Sequence, residues 1–455
     1  MLLPLLLAQA SPPAPSPSPA PPPAQEIVIP QIVRPLPGAL DDVPVLNSNS
    51  PEIIGTEGIL LSTFPPEGKV TPAAHLNFGF NGRFDIFAHH VFKALSPAKT
   101  SAYLGVIAYN PGSRPVTLDT LQAASYLSQP DAPFIPLPPM LENPLGRVFA
   151  GPGDRAMSDL LRGLRQAIFP PRITIAPNAY QMLLNLPIPV AELDPPVNGR
   201  STLMRLRSSG PVYLASLALM ARTAANREVP PSLQDWESLL QTGSLVTPRD
   251  RPPSLLDNTA PTNQIIYGRV AGVAIGSSWQ SQVTDNPDSA SLTIPAAGSA
   301  FSYGLSTLAR GRMGSDQSQS AQMRVRYPDT AYEAHGNYGI QYDLSLPLVN
   351  PDSQPRAVTL ALQTPIKEDS LSRNGLRFFD PLPTQTFFRG SVRLRYADDQ
   401  GKLQVRYIHL VQRRGQQGEP LVRLELAGGE RRLVEFSLLY PPDSTPPQVL
   451  TVSAE

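Results

Sequence analysis

Fifty-five prolines spread over 455 residues leave few places where a long helix can run. Proline lacks the amide donor and its ring collides with the preceding helical turn, so it collects in turns, connections and strand edges. An all-β fold with long connections is the natural outcome. Hydrophobic residues at 41% supply enough apolar material for a core, and the length allows more than one domain. Charged residues are scarce at 16%, and 37 basic side chains balance 37 acidic ones. A nucleic-acid partner is therefore not expected, because phosphate binding needs a basic surplus.

The strand signals are short apolar or alternating runs bounded by Gly, Pro and Asn. They include residues 59–64, 74–80, 83–91, 102–109, 116–121, 172–176, 181–188, 201–207 and 212–221. The clearest are at the C-terminal end, where 390–396 and 403–411 flank Asp398-Asp399-Gln400-Gly401, and 421–426 and 432–439 flank Gly428-Gly429. Two helices are predicted. One runs over 154–168, capped by Asp154, with Met157, Leu160, Leu161, Leu164 and Ile168 on one face and Pro170-Pro171 behind it. The other is short, capped by Ser232 with Asp235 three positions on, and buries Trp236, Leu239 and Leu240 before Gly243.

One motif occurs twice. Asn110-Pro-Gly-Ser-Arg-Pro115 precedes a Val-Thr-Leu strand, and so does Asn350-Pro-Asp-Ser-Gln-Pro355. Proline and asparagine pre-form such a turn. The repetition predicts two β-sandwich domains of related topology, Ig-like or jelly-roll-like, over 51–228 and 263–455. A linker over 229–262 carries the short helix.

The N-terminus predicts export. A leucine run ends in Ala8-Gln9-Ala10, the small-x-small pattern of signal-peptide cleavage, which assigns 1–10 to a signal peptide remnant cut after Ala10. No Lys or Arg precedes Arg34 and the apolar part stops at Leu7, so this reads as the tail of a longer leader. Residues 11–50 read as a proline-rich disordered tether, with 26–50 able to lie as an arm along a sheet edge. There is no cysteine, which removes lipid anchoring, thiolate metal sites and thiol catalysis, and leaves burial to hold the fold. No stretch behind the leader is long enough to span a bilayer as a helix.

No catalytic residue is assigned. Ser96-Pro-Ala-Lys99 matches S-x-x-K but lacks the partner motifs that chemistry needs. No cofactor is implied, and no metal site is expected from five histidines, since adjacent His89 and His90 on a strand face opposite ways. The densest polar and aromatic segment is 326–339. Its Tyr327, Asp329, Tyr332, His335, Asn337 and Tyr338 offer rings, an amide and a carboxylate of the kind that binds sugar or peptide. The plainer reading is a long loop tied down by its own side chains. Trp279 in Gly276-Ser-Ser-Trp-Gln280 is a further candidate, as an exposed platform or as a core anchor.

Several stretches resemble a secreted cyanobacterial family known as a domain of unknown function. They are Tyr267-Gly-Arg-Val-Ala-Gly-Val-Ala274, Arg326-Tyr-Pro-Asp-Thr-Ala-Tyr332, Ala334-His-Gly-Asn-Tyr-Gly339, Phe388-Arg-Gly390 and Tyr440-Pro-Pro-Asp-Ser-Thr-Pro-Pro-Gln-Val-Leu450. The resemblance runs from about Asn47 to the end. It implies a periplasmic, outer-envelope or extracellular location and supplies no activity. The expectation is an exported, non-enzymatic envelope or extracellular protein, structural or binding a glycan or another surface protein. The alternative is a secreted hydrolase acting on polysaccharide or peptidoglycan. A cleft lined by acidic pairs would favour the alternative.

Overall fold

A computed structural model describes residues 25–94, 96, 100–224, 227–255 and 265–455. The chain is mostly β, as its prolines require, with two helices of ten residues among the described segments. No described helix is long and apolar enough to cross a membrane. Residues 1–10, expected to be a signal peptide remnant, and residues 11–24 lie outside the described residues.

The first sandwich is organised by one strand, Val197–Met220, that belongs to both of its sheets. Pairing breaks register between Ser208 and Val212, around Gly210-Pro211. Before the break the strand lies between Phe80–Lys93 and Val116–Leu127, and after it between Gly58–Ser62 and Ser101–Tyr109. A bulge is the usual device by which a strand turns a sandwich corner. Alternation then sorts the side chains. Phe84, Ile86 and Ala88 enter the core between the sheets with Leu104, Val106, Met204 and Leu214. Their neighbours Phe87 and Leu203 face the other way, into a second core.

That second core fills the other sandwich. One of its sheets runs Ser278–Gln282, Gln341–Val349, Arg431–Leu439, Thr386–Ala397, Leu403–Arg413 and Met140–Glu142. The other runs Ile32–Arg34, Ala300–Leu305, Gln448–Ala454, Arg356–Gln363 and Val422–Leu426.

The repeated turn folds the same way in both units. Asn110 Nδ2 donates to the carbonyls of Arg114 (2.8 Å), Ile175 and Ala176 (both 3.1 Å), while its Oδ1 accepts from Gly112 N at 2.9 Å. Asn350 Nδ2 donates to Gln354 (2.8 Å), Leu426 (3.0 Å) and Ala427 (3.2 Å), and its Oδ1 accepts from Asp352 N at 3.1 Å. Both asparagines are fully buried. The strands around them correspond, since Val116–Leu127 pairs with Arg172–Ile175 just as Arg356–Gln363 pairs with Val422–Leu426.

Four expectations are corrected, the last being the strand over 74–80. First, the tether does not extend to residue 50. Gln25–Pro30 pairs with Gly375–Asp380, Ile32–Arg34 with Ala300–Leu305, and Pro44–Ser48 lies between Phe80–Lys93 and Ala271–Ile275. Buried Val33, Val45 and Leu46 hold this arm down, and its prolines fall at strand ends or between strands. Second, the two halves exchange strands. Ala271–Ile275, Ala321–Arg326 and Glu333–Ala334 extend the first unit's sheet, and Met140–Glu142 extends the second unit's. The helix Leu233–Thr242 is an outer layer of the first sandwich, with Trp236 and Leu240 packed on Ile59, Tyr103 and Leu217. Its capping box between Ser232 and Asp235 is as predicted.

Third, the helix expected over 154–168 is Pro152–Leu161 and stops before Leu164 and Ile168, which are exposed. Gly163 at φ 79° supplies the left-handed turn that ends it. Gly151, not Asp154, is the N-cap. Met157, Leu160 and Leu161 do share a buried face, wedged between the first unit's sheet and the second core. The expected strand over 74–80 is a short 3-10 turn at Pro72–Ala74 followed by irregular chain up to Phe80.

Candidate functional site

Where the outer face of the first sheet meets the second sandwich there is a cleft of about 280 Å³. Its floor follows from the strand period. Asn47 shares the face of Val45 on its strand, Asn49 follows just past the strand's end, and His89 shares its face with Phe87 on the neighbouring strand. Glu52, Gly268, Arg269 and Val270 form one wall. The segment Ala334–Tyr338 and Pro442-Asp443 form the others. Both halves of the chain are needed to close it.

The charged groups are interlocked. His89 Nε2 lies 3.5 Å from Glu52 Oε1, and its Nδ1 is 2.7 Å from Ser201 Oγ. Arg269 grips Glu52 and reaches Asp250 at 3.4 Å. The hydrogen bond from His89 holds the Glu52 carboxyl below its ordinary range, helped by the charges of His89 and Arg269 and opposed by burial. A Ser–His–Glu line of this kind resembles a hydrolytic triad, but Ser201 is fully buried inside a paired strand and cannot reach a substrate. Ser201 orients the imidazole.

Asp443 behaves oppositely. Burial raises its carboxyl to about 6, with neighbouring Asp154 adding to the rise and His89 and Arg389 opposing it. Its Oδ2 has no hydrogen-bond partner among the described residues. The linkage runs against the usual carboxylate. Between the ordinary aspartate value and about 6 the folded chain holds a proton that the unfolded chain has released, so this group's contribution to stability falls as pH rises through that window. The full span is about 3 kcal/mol. Asp443→Asn is expected to be more stable than wild type at pH 7.5 and nearly equal to it at pH 4. Urea denaturation at the two pH values measures this, and equal differences at both would contradict the assignment.

His335, Asn337 and Tyr338 line the cleft. Each is also tied to the protein. His335 stacks on Tyr267 at 4.9 Å, and burial lowers its imidazole to about 4. Asn337 takes a left-handed φ of 50°. With its amide nitrogen toward Ala334 O (2.9 Å) and its oxygen accepting from Ser306 Oγ (3.0 Å), it holds the turn. Tyr338 donates to Ser444 O at 3.3 Å, and burial raises its phenol to about 12.

The other candidates lie elsewhere. Tyr327 is wholly buried, donating to Ala74 O (2.7 Å) and accepting from Ser62 N (3.0 Å). Asp329 forms a two-pronged pair with Arg249 at 2.8 and 3.0 Å. Tyr332 is covered by the Arg326 guanidinium at 3.9 Å. Trp279 is a core anchor whose Nε1 donates to Pro37 O at 2.8 Å, not a platform. Sequence reasoning did not single out Asn47, Asn49, Glu52, Arg269 or Asp443. A signal was present for two of them, because Arg269 and Asp443 fall within the unusual stretches that carried the family resemblance. His89 and His90 do face opposite ways. His90 turns inward to Ser48 Oγ and Pro51 O, both at 2.9 Å. Among the described residues no three His, Cys, Asp or Glu side chains are grouped to hold a metal.

A family model described as a protein of unknown function (DUF3370) matches residues 31–454. The chain belongs to this family. The match takes in every residue that lines the cleft and the second and third strands of the N-terminal arm. No curated protein matches. Among solved structures, the coconut allergen cocosin aligns at 8% identity over 88% of this chain and 86% of that one, with a TM-score of 0.09. That value is too low for any shared fold to be argued.

Proposed function

We propose that this is an exported, non-enzymatic protein of the cell envelope or extracellular space that binds a glycan in the cleft between its two sandwiches. The cleft carries the reading. It gathers amides, carboxyls, a guanidinium and an imidazole in a concave site built from both halves of the chain, and polar convergence in a concavity is what ligand sites share. The Ala8-Gln9-Ala10 leader supports export. Binding of the intact mature chain to a glycan array, together with N-terminal sequencing of the protein from its host, tests the proposal. Retention of Met1 in a cytoplasmic protein would remove export, and a blank array would remove glycan binding.

A second reading draws on one observation. Glu52 and Asp443 share the cleft and are pushed in opposite directions, the pattern of a base and an acid in glycoside hydrolysis. The grip of Arg269 on Glu52 weakens it as a base and favours binding over hydrolysis. Release of reducing ends from polysaccharide, lost in both Glu52→Gln and Asp443→Asn, would establish the second reading in place of the first.

A further inference from the structure

We infer that the cleft is a subsite for one or two neutral, hydroxyl-rich sugar units, recognised by hydrogen bonds through Asn47, Asn49 and Asp443. This rests on the glycan reading above and narrows it. Three side chains that line the cleft carry a buried oxygen with no partner among the described residues: Asn47 Oδ1, Asn49 Oδ1 and Asp443 Oδ2. The two asparagines are only 5% and 8% exposed. Unpaired buried polar atoms occur elsewhere among the described residues too, but these three meet at one concave polar site, where a ligand can supply the missing donors. An amide presents a donor on one edge and an acceptor on the other, and a carboxyl accepts. Hydroxyls, which donate and accept at once, match such a set.

Charge sets the ligand class. Arg269 is engaged by Glu52 and Asp250, so among the described residues no unpaired guanidinium or ammonium lines the cleft to await a carboxylate, sulfate or phosphate. The carboxyls of Glu52 and Asp443 would repel one. Size sets the extent, since about 280 Å³ falls just below the clefts of about 300–1,000 Å³ that enclose drug-sized ligands. Stacking has little part. Gly336 lies directly against the Tyr338 ring, and Phe87 sits 6.2 Å from it.

Isothermal titration of the full mature chain tests the inference. The panel is glucose, galactose, mannose, N-acetylglucosamine and their disaccharides, with glucosamine, glucuronate and calcium chloride alongside. A neutral sugar is expected to bind, and Asn49→Ala is expected to weaken it about tenfold, the size of one lost hydrogen bond near the top of its usual range. Asn47→Ala is expected to do the same, and Asn49→Leu to abolish binding by filling the cleft. Thermal unfolding shows that each variant is folded, and Asn49→Leu provides the test should Asn47→Ala fail to fold. Stronger binding of glucuronate, glucosamine or calcium than of any neutral sugar would overturn the inference. Glycan binding that survives both Asn49 variants would overturn it while leaving the glycan reading intact. A chain that binds no sugar and gives a blank array loses both.

Discussion

Asp154→Ala is expected to destabilise the protein by about 3–5 kcal/mol, the cost of breaking a buried charged or polar pair by removing one member. Asp154 and His409 are both fully buried, with Asp154 Oδ2 2.7 Å from His409 Nε2. The same oxygen accepts from Ala150 N at 2.8 Å. His409 lies within Leu403–Arg413, so the contact fastens the helix Pro152–Leu161 to the second unit's sheet. Asp154 Oδ1 and His409 Nδ1 have no partners among the described residues, so no second contact holds the imidazole when the Asp154 side chain is removed. Replacing both, as Asp154→Leu with His409→Leu, is expected to cost less than the sum of the singles. Urea unfolding of the four proteins measures the coupling. A loss below about 1 kcal/mol for Asp154→Ala would put the pair among the weak surface interactions.

Trp236→Ala is the second large effect, again about 3–5 kcal/mol. The indole is fully buried beneath the helix Leu233–Thr242, among Ile59, Phe64, Tyr103, Ile107 and Leu217. A methyl group built on Gly105 would come within 2.9 Å of the ring. The glycine in the strand Ser101–Tyr109 is therefore the slot into which the indole fits, and Gly105→Ala is expected to destabilise by overpacking, by about 1–3 kcal/mol. Trp236→Phe leaves more of the slot filled and is expected to cost less than Trp236→Ala. Thermal unfolding ranks the three variants. If Gly105→Ala were neutral, the helix would be seated more loosely than these contacts show.

Much of the fold was legible because its signals are local. The turns at Asn110 and Asn350 could be matched by eye, since a side chain that bonds a carbonyl four residues ahead needs no distant information. The capping box at Ser232 and the hairpins after residue 390 are of the same kind. What escaped was pairing over distance. Nothing in Pro44–Ser48 announces that it will lie parallel to Phe80–Lys93 and antiparallel to Ala271–Ile275. The helix over 154–168 was drawn too long because Leu164 and Ile168 keep the helical spacing, while Gly163 ended it two residues after Leu161.

The site divided along the same line. Crowding of polar and aromatic residues located the segment that carries His335, Asn337 and Tyr338, but crowding has no direction. Tyr327 turned into the core, and Arg249 and Arg326 claimed Asp329 and Tyr332. Glu52 and Asp443 are ordinary acids in the sequence. Only the meeting of the first sheet's outer face with the second sandwich makes them neighbours.

The exchanged strands also govern when the chain can mature during synthesis. Pro44–Ser48 is made early, yet one of its edges stays open until Ala271–Ile275 has emerged, and that strand waits in turn for Ala321–Arg326. Ile32–Arg34 and Gln25–Pro30 wait for Ala300–Leu305 and Gly375–Asp380. Contacts so remote in sequence form slowly, and unpaired edges invite association between chains in the meantime. A nascent copy thus carries unpaired strand edges for most of its elongation, until Gly375–Asp380 has been made.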